Sequence, residues 1–488
     1  MLFNSLEFLL FFPVALAIYF LSPQRYKWLV LVMTSFIFYM SYSPKYLIFL
    51  LISIVSNFFA GIYIEKGETK REKKIPLMLN LALNLIMLCA FKYLNFFDDN
   101  IRALFEMVGA NYPVPESWFN KIILPVGISF YTFHTLGYTL DVFKGVSKAE
   151  KHLGKFALFT AYWPLLLAGP IERSTTLLPQ LENFKNFDYQ RTREGMIRML
   201  FGFFKKVVIA DRLALYVDHL YSNYDKATGW TVLLGASLFV IQVYCDFSGY
   251  SDIAVGASRI MGIKLLENFK RPFFAKNLAD FWTRWHISLS TWLTDYVFFY
   301  LGAYKASGLK VVFNVIFVLT ICGLWHGANW PMVLSFTTIG IMMAIRYLWQ
   351  YNVVKKIRPS NFYKLFDKLP DIFHIVITFV ILVLGFMMFR VKHMDEAVVM
   401  YKNLFKLNEA GWFHEFVHLV NFGVTNFIIA MVAMFILFFI EYKTGDKFIE
   451  EVVLDKPLYF RWGFYIFMLL SVIWFGMFDS KVFVYFQF

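Results

Sequence analysis

Apolar residues in this chain gather into runs of bilayer length, separated by short polar turns rather than by long hydrophilic segments. The runs lie near 5–22, 28–42, 46–64, 76–93, 121–143, 155–169, 196–217, 229–247, 311–326, 331–350, 371–389, 424–441 and 459–478. A helix of about 20 apolar residues spans a hydrocarbon core, and in lipid a helix satisfies its own backbone polar groups where irregular chain does not. The pattern therefore predicts an all-α polytopic membrane protein, a single integral-membrane domain over 1–488 with about 11–13 spans. The first run opens Met1-Leu-Phe-Asn-Ser-Leu-Glu7. It has neither a basic leader region nor a small-residue cleavage site, and reads as a retained span.

Two regions break the pattern. Between 163 and 190, Trp163-Pro-Leu-Leu-Leu-Ala-Gly-Pro170 runs into Ile-Glu-Arg173 and then polar residues, and proline and glycine so placed interrupt a helix. Between 246 and 300, apolar positions alternate with charges such as Asp246, Asp252, Lys270, Arg284 and Asp295. Irregular backbone survives at membrane depth where it is buried in protein or lines a cavity. Both regions therefore predict re-entrant or interfacial helices around a cavity.

Composition agrees with this class, and charge adds an orientation. At 59% hydrophobic and 17% charged, the chain cannot hide its apolar side chains inside a water-soluble globule. The net charge of +13 comes from short clusters between apolar runs, not from one basic face, which argues against a nucleic-acid partner and for the lipid bilayer. Cys89, Cys245 and Cys322 lie in apolar or aromatic stretches without metal-like spacing, so neither a disulfide framework nor a metal is expected. Two runs separate the basic turns Arg25-Tyr-Lys27 and 65–74, and one more precedes the acidic stretch 96–120. The positive-inside rule then places both basic turns and the cluster Lys355-Lys-Ile-Arg358 in the cytoplasm, with the N-terminus and the acidic stretch outside.

Two histidines stand in aromatic, largely uncharged surroundings. His326 closes an apolar run in Cys322-Gly-Leu-Trp-His-Gly-Ala-Asn-Trp-Pro331, where Gly327 and Pro331 loosen or end the helix. Trp325 and Trp330 flank it, and Asn329, three residues on, orients the imidazole or bonds a substrate carbonyl if the helix persists that far. His286 lies in Asp280-Phe-Trp-Thr-Arg-Trp-His-Ile-Ser-Leu-Ser-Thr-Trp292, with Trp282, Trp285, Leu289 and Trp292 at helical spacing and Asp280 set to pair with Arg284. An ionisable group at membrane depth is costly and marks a functional site by default. An aromatic belt or an amphipathic interfacial helix would explain either motif without chemistry. A third pattern, His414-Glu-Phe-Val-His418, has zinc-peptidase spacing. Glu441 is where a third ligand would be sought, but the apolar run from Ile428 to Ile440 puts it at the opposite membrane face.

Several motifs taken together carry a family resemblance. They are the opening Met1-Leu-Phe-Asn-Ser-Leu-Glu-Phe-Leu9, Leu124-Pro-Val-Gly-Ile-Ser-Phe-Tyr-Thr-Phe133, Leu167-Ala-Gly-Pro-Ile-Glu-Arg173, Tyr244-Cys-Asp-Phe-Ser-Gly-Tyr-Ser-Asp252, Asn268-Phe-Lys-Arg-Pro-Phe273, Phe281-Trp-Thr-Arg-Trp-His-Ile-Ser-Leu289, Gly323-Leu-Trp-His-Gly-Ala328 and Phe483-Val-Tyr-Phe-Gln-Phe488. The chain resembles the membrane-bound O-acyltransferase (MBOAT) superfamily, in the bacterial polysaccharide branch that includes alginate O-acetyltransferases. The resemblance implies a helical bundle around a central tunnel. It matches the family's signature histidine to His326 and its second histidine to His286. It also implies no bound cofactor, an acyl thioester donor (acetyl-CoA or an acyl-carrier protein) entering from the cytoplasm, and an acceptor hydroxyl arriving from outside. Met388-Phe-Arg-Val391 departs from the relatives' second phenylalanine and alanine around the arginine, with no expected effect on chemistry.

The chemistry can be argued beside the resemblance. A hydroxyl is a weak nucleophile at neutral pH and imidazole has a suitable pKa to take its proton. His326 is the expected base, and His286 or Asn329 the expected donor to an oxyanion. Cys322 and Ser288 are poorly supported nucleophiles, so direct transfer is simpler than an acyl-enzyme. Trp325, Trp285, Ser288 and Asp246 are candidate substrate contacts, although Asp246 and Asp252 would equally serve by pairing with Arg259, Arg271 or Arg284. Arg173 is a candidate for donor phosphate. The expected reaction is acyl transfer, acetyl first, in a bacterial cytoplasmic membrane. Its acceptor is an exported cell-surface polysaccharide or an extracytoplasmic relay such as an SGNH-type acetyltransferase, with a polysaccharide synthase or export complex as a further candidate partner. A D-alanyl-type transferase fed by a carrier protein is the alternative. A transporter ranks below, since no repeated halves with paired broken helices are visible, as does the zinc peptidase.

Overall fold

The computed structural model describes residues 1–42, 44–115, 124–303, 308–348, 368–407, 412–413 and 423–478. Among these, every regular element is a helix. Eight are long and apolar enough to cross a membrane: Pro44–Lys66, Lys70–Lys92, Gly229–Ile260, Gly308–His326, Trp330–Leu348, Asp371–Phe389, Gly423–Thr444 and Leu458–Phe475. The chain forms two compact units interleaved in sequence, Met1–Gly195 with Ala254–Leu266 and Met196–Ile253 with Glu267–Phe488.

The first unit contains α1 (Leu6–Leu21), α2 (Lys27–Met40), α3 (Leu47–Lys66), α4 (Lys70–Lys92), α5 (Leu94–Met107), α6 (Ile128–Lys144) and α7 (Leu153–Ala161). Helix α4 starts inside the basic turn because Thr69 accepts the Glu72 N–H while the Glu72 carboxylate accepts from the Glu68 N–H and the Thr69 hydroxyl, a reciprocal cap. Lipid offers little hydrophobic gain for joining spans, so polar side chains hold α3, α4 and α6 together. Asn57 Oδ1 accepts from Asn80 Nδ2 at 2.7 Å and from Thr139 Oγ1 at 2.8 Å, and Asn57 Nδ2 donates to Asn84 Oδ1 at 3.2 Å. Gly127, with φ of 78°, caps α6 where a Cβ would stand 2.3 Å from the Leu166 carbonyl oxygen, so only glycine fits there.

The expected run 155–169 is not one span. Pro164 has no N–H to continue the helix, so α7 ends at Ala161 and a single turn, Trp163–Leu166, follows. Trp163 is fully buried among Phe3, Phe8 and Phe38, and its backbone N–H donates to Ser35 Oγ at 3.1 Å. Short turns at Ser174–Leu177 and Leu178–Leu181 complete the irregular region. Glu172 fastens it by accepting the Leu266 N–H at 2.5 Å.

The second unit takes most of α8 (Tyr189–Phe203) and of α10 (Gly229–Ile260), with α9 (Asp211–Ser222) between them. The expected run 196–217 is interrupted by a π-helical stretch, Phe204–Ala210. The irregular region expected from 246 begins only after Ile260, because α10 continues unbroken for 32 residues. Its carboxylates are neutralised from α8 and the π-helical stretch rather than by Arg259, Arg271 or Arg284. Lys206 Nζ lies 2.6 Å from Asp246 and 2.8 Å from Asp211, and Arg198 lies 2.6 Å from both Asp252 and Glu267; Lys205 also pairs with Asp252. Gly202 and Gly249 allow this approach, since a Cβ on either would come within 2.8 Å of the other's carbonyl oxygen.

Beyond α10 the chain is irregular through 277 apart from a 3-10 turn at Pro272–Phe274, then forms α11 (Leu278–Trp282), α12 (Ile287–Leu293), α13 (Gly308–His326), α14 (Trp330–Leu348), α15 (Asp371–Phe386), α16 (Met394–Asn403), α17 (Gly423–Thr444) and α18 (Leu458–Phe475).

Asp252→Ala takes from Lys205 its carboxylate partner in the interior and from Arg198 one of its three, and thermal or denaturant unfolding in detergent is expected to show a loss of about 3–5 kcal/mol. Asn57→Ala removes the centre of a neutral network and is expected to cost about 1 kcal/mol, measured in the same way.

Candidate active site

His326 is the last residue of α13, and the close return of α14 fixes it there. Gly323 makes the turn possible, because a Cβ on it would approach the Met332 carbonyl oxygen and Phe336 Cβ to 2.9 Å. The Phe336 ring then stacks on the imidazole at 4.8 Å with an 18° interplanar angle. Trp325 and Phe389 close further sides, at 4.8 and 5.5 Å between centroids. The helix does not persist to Asn329, so the i+3 geometry expected for that residue is absent. Asn329 instead begins α14, its Oδ1 accepting the Met332 N–H at 2.8 Å.

His286 stands at the turn between α11 and α12 with φ of 42° and ψ of 52°. Left-handed backbone in a residue with a Cβ is uncommon and strained. The segment is not an amphipathic helix lying in the interface: His286 is 1% exposed, and Trp285, Leu289 and Trp292 are buried as well. The expected Asp280–Arg284 pair is present at 2.7 Å. Burial lowers the His286 pKa to about 3, so at neutral pH the ring is uncharged, with one nitrogen to donate and one to accept.

These two separately encoded histidines meet. Their ring centroids are 6.4 Å apart, with Trp325 6.1 Å and Phe247 4.6 Å from His286. Both imidazoles are buried, and the surrounding aromatic rings keep water from them, a setting in which a proton transfer or a hydrogen bond to a developing charge is more effective than in water.

The other expected contacts are differently employed. Ser288 Oγ donates to Asn268 Oδ1 at 2.6 Å, Asp246 pairs with Lys206, and Trp285 is packed between Phe281 and Phe269. Arg173 belongs to the first unit, at the start of the Ser174–Leu177 turn. Glu441, weighed as a third zinc ligand, accepts a hydrogen bond from Tyr244 Oη. The pair His414 and His418, with Glu415, lies outside the described residues.

A half-open basic cleft lies in the same unit, lined by Arg198, Lys205, Lys270, Arg271 and Lys447 together with Asp252, Glu441 and Asp446. Tyr244 and Phe269 form part of its wall. Phe269 packs at 5.1 Å against Phe247, the ring that covers His286. Phe247, Phe336, Phe389 and Asn268 were not singled out as site residues from sequence. Phe247 and Asn268 lie within family-like motifs and Phe389 within the Met388-Phe-Arg-Val391 stretch compared with the relatives, whereas Phe336 carries no local signal in a chain with 59 Phe.

The membrane-bound O-acyltransferase family matches residues 146–391. A probable alginate O-acetylase of Azotobacter vinelandii is 36% identical over 412 residues, covering 84% of this chain and 79% of its own. A peptidoglycan O-acetyltransferase of Helicobacter pylori is 32% identical over 466 residues, covering 86% and 84%. A teichoic acid D-alanyltransferase of Bacillus subtilis is 30% identical over 298 residues, covering 58% and 72%. With identity of this extent on top of the helical architecture, the chain belongs to the membrane-bound O-acyltransferase family and is a multi-pass membrane O-acyltransferase.

Proposed function

We propose that the protein transfers an acetyl group from a cytoplasmic thioester to a hydroxyl of an exported cell-surface polysaccharide, or to an extracytoplasmic protein that relays it, across a bacterial cytoplasmic membrane. The observation that carries the reading is the buried pairing of His286 and His326 at 6.4 Å. His326 takes the proton of the acceptor hydroxyl as its oxygen attacks the thioester carbonyl carbon. His286, uncharged, donates to the developing oxyanion. The carbon–sulfur bond then breaks, and the proton held by His326 returns to the departing thiolate. Neither step needs a metal or an acyl-enzyme. The likeness to an alginate O-acetylase and a peptidoglycan O-acetyltransferase supports acetyl as the group and a polysaccharide as the acceptor.

The basic cleft supports a donor with phosphates, as both coenzyme A and a carrier-bound phosphopantetheine have. Phe269 on its wall packs against Phe247, the ring that covers His286, so the cleft and the histidine pair share one aromatic layer. A second reading is D-alanyl-type transfer from a carrier-protein thioester, favoured by the likeness to a teichoic acid D-alanyltransferase.

Reconstituted protein given labelled acetyl-CoA and, separately, a labelled carrier-protein thioester distinguishes the two readings by which label reaches the acceptor. In either assay His326→Ala is expected to lower kcat by about 10²–10⁴-fold while the protein stays folded; full turnover by that variant would end the proposal. Lys270→Ala combined with Lys447→Ala is expected to raise the donor KM about tenfold at unchanged kcat. An unchanged KM would remove the cleft from donor binding.

A further inference from the structure

Asn268, the first residue of Asn268-Phe-Lys-Arg-Pro-Phe273, has no part in the reaction as written, yet it is bound to the turn that carries His286. Two backbone hydrogen bonds bracket the histidine. The Ile287 N–H donates to the Asn268 carbonyl at 2.9 Å, and the Lys270 N–H donates to the Arg284 carbonyl at 2.9 Å. The Asn268 side chain adds two more bonds, its Oδ1 accepting from Ser288 Oγ at 2.6 Å and its Nδ2 donating to Ser251 Oγ at 3.1 Å. Ser251 lies on α10 one turn beyond Phe247, the ring set edge-on to His286 at 4.6 Å. Asn268 is 1% exposed, as is Ser288.

We propose that Asn268 is a positioning residue that seats His286 in its left-handed turn against Phe247 and facing His326. The proposal rests on the reading of the histidine pair as the reacting centre. A histidine at φ of 42° sits in a sparsely populated conformation, and such residues persist only where their surroundings over-determine them. Here three of those constraints come from one residue: the Asn268 carbonyl holds the residue after His286, and the Asn268 side chain ties the next one to α10. Without these bonds the turn can relax toward ordinary backbone, which swings the ring away from His326. Ser288 works through the same amide as the local end of the clamp.

The test uses full-length protein in detergent or reconstituted membranes. Asn268→Ala and, as the smaller change, Ser288→Ala are assayed for kcat, donor KM and thermal unfolding. Diethyl pyrocarbonate labelling of His286 and His326 is followed in parallel by mass spectrometry. Both variants are expected to lower kcat by about tenfold or more, with donor KM changed by less than about threefold and with faster labelling at His286 than in the parent. Ser288→Ala retains nearly the parent's volume, so it carries the test if Asn268→Ala does not fold. Parental kcat and parental labelling in Ser288→Ala, or a loss that tracks thermal stability with His286 labelling unchanged, would overturn the inference. His286→Ala is run alongside: full activity there would defeat the reading of the histidine pair, whereas a His286→Ala loss with unaffected Ser288→Ala and Asn268→Ala would defeat the clamp alone.

Discussion

The second unit depends on the neutralisation of two carboxylates on α10. Asp246 and Asp252 stand in a helix otherwise long and apolar enough to cross a membrane, where an uncompensated charge is expensive. Lys206, Lys205 and Arg198 reach them because Gly202 and Gly249 let the helical backbones meet and because the π-helical stretch shifts the register of the two lysines. With the charges paired, α10 runs on to Ile260 and delivers Phe247 to the histidine ring and Ser251 to the Asn268 clamp. Paired charge is thus what permits polar chemistry to be built on a membrane-depth helix.

The first unit solves the same problem without charge. Asn57, Asn80, Asn84 and Thr139 satisfy one another between α3, α4 and α6, and the aromatic cluster around Trp163 fills the space left where Pro164 ends α7. Neutral amides hold spans together at modest energy. Among the described residues, the buried ion-pair network of Arg198, Lys205 and Lys206 lies in the unit that also holds the two histidines.

At the centre, aromatic rings have both packing and electrostatic consequences. Phe247, Trp325, Phe336 and Phe389 surround the two imidazoles. Removing water keeps His286 uncharged and strengthens any hydrogen bond its ring makes. The same rings limit rotation of the imidazoles, so the orientation set by the end of α13 and by the clamped turn is retained.

Much of the architecture was legible in sequence because membrane helices announce themselves by length and apolarity: α2, α3, α13, α14, α17 and α18 all lie within a few residues of the runs read from the chain. Proline chemistry also marked the break near Trp163. The sequence identified His326 at a helix end and the i,i+4 pair Asp280–Arg284, since both depend on neighbours in the chain. It did not foresee that α10 would continue through Asp246 and Asp252, because their partners lie 40 or more residues away on another helix. Nor did it foresee that Ser288 bonds to Asn268 and that Asn329 caps α14, choices made by a remote amide and by nearby backbone. The meeting of His286 with His326 was likewise beyond periodicity. Local pattern determined most of the helices and which residue types stand at their ends; tertiary packing alone decided which of them face one another, because hydrogen bonds, ion pairs and ring contacts between distant segments leave no trace in residue spacing.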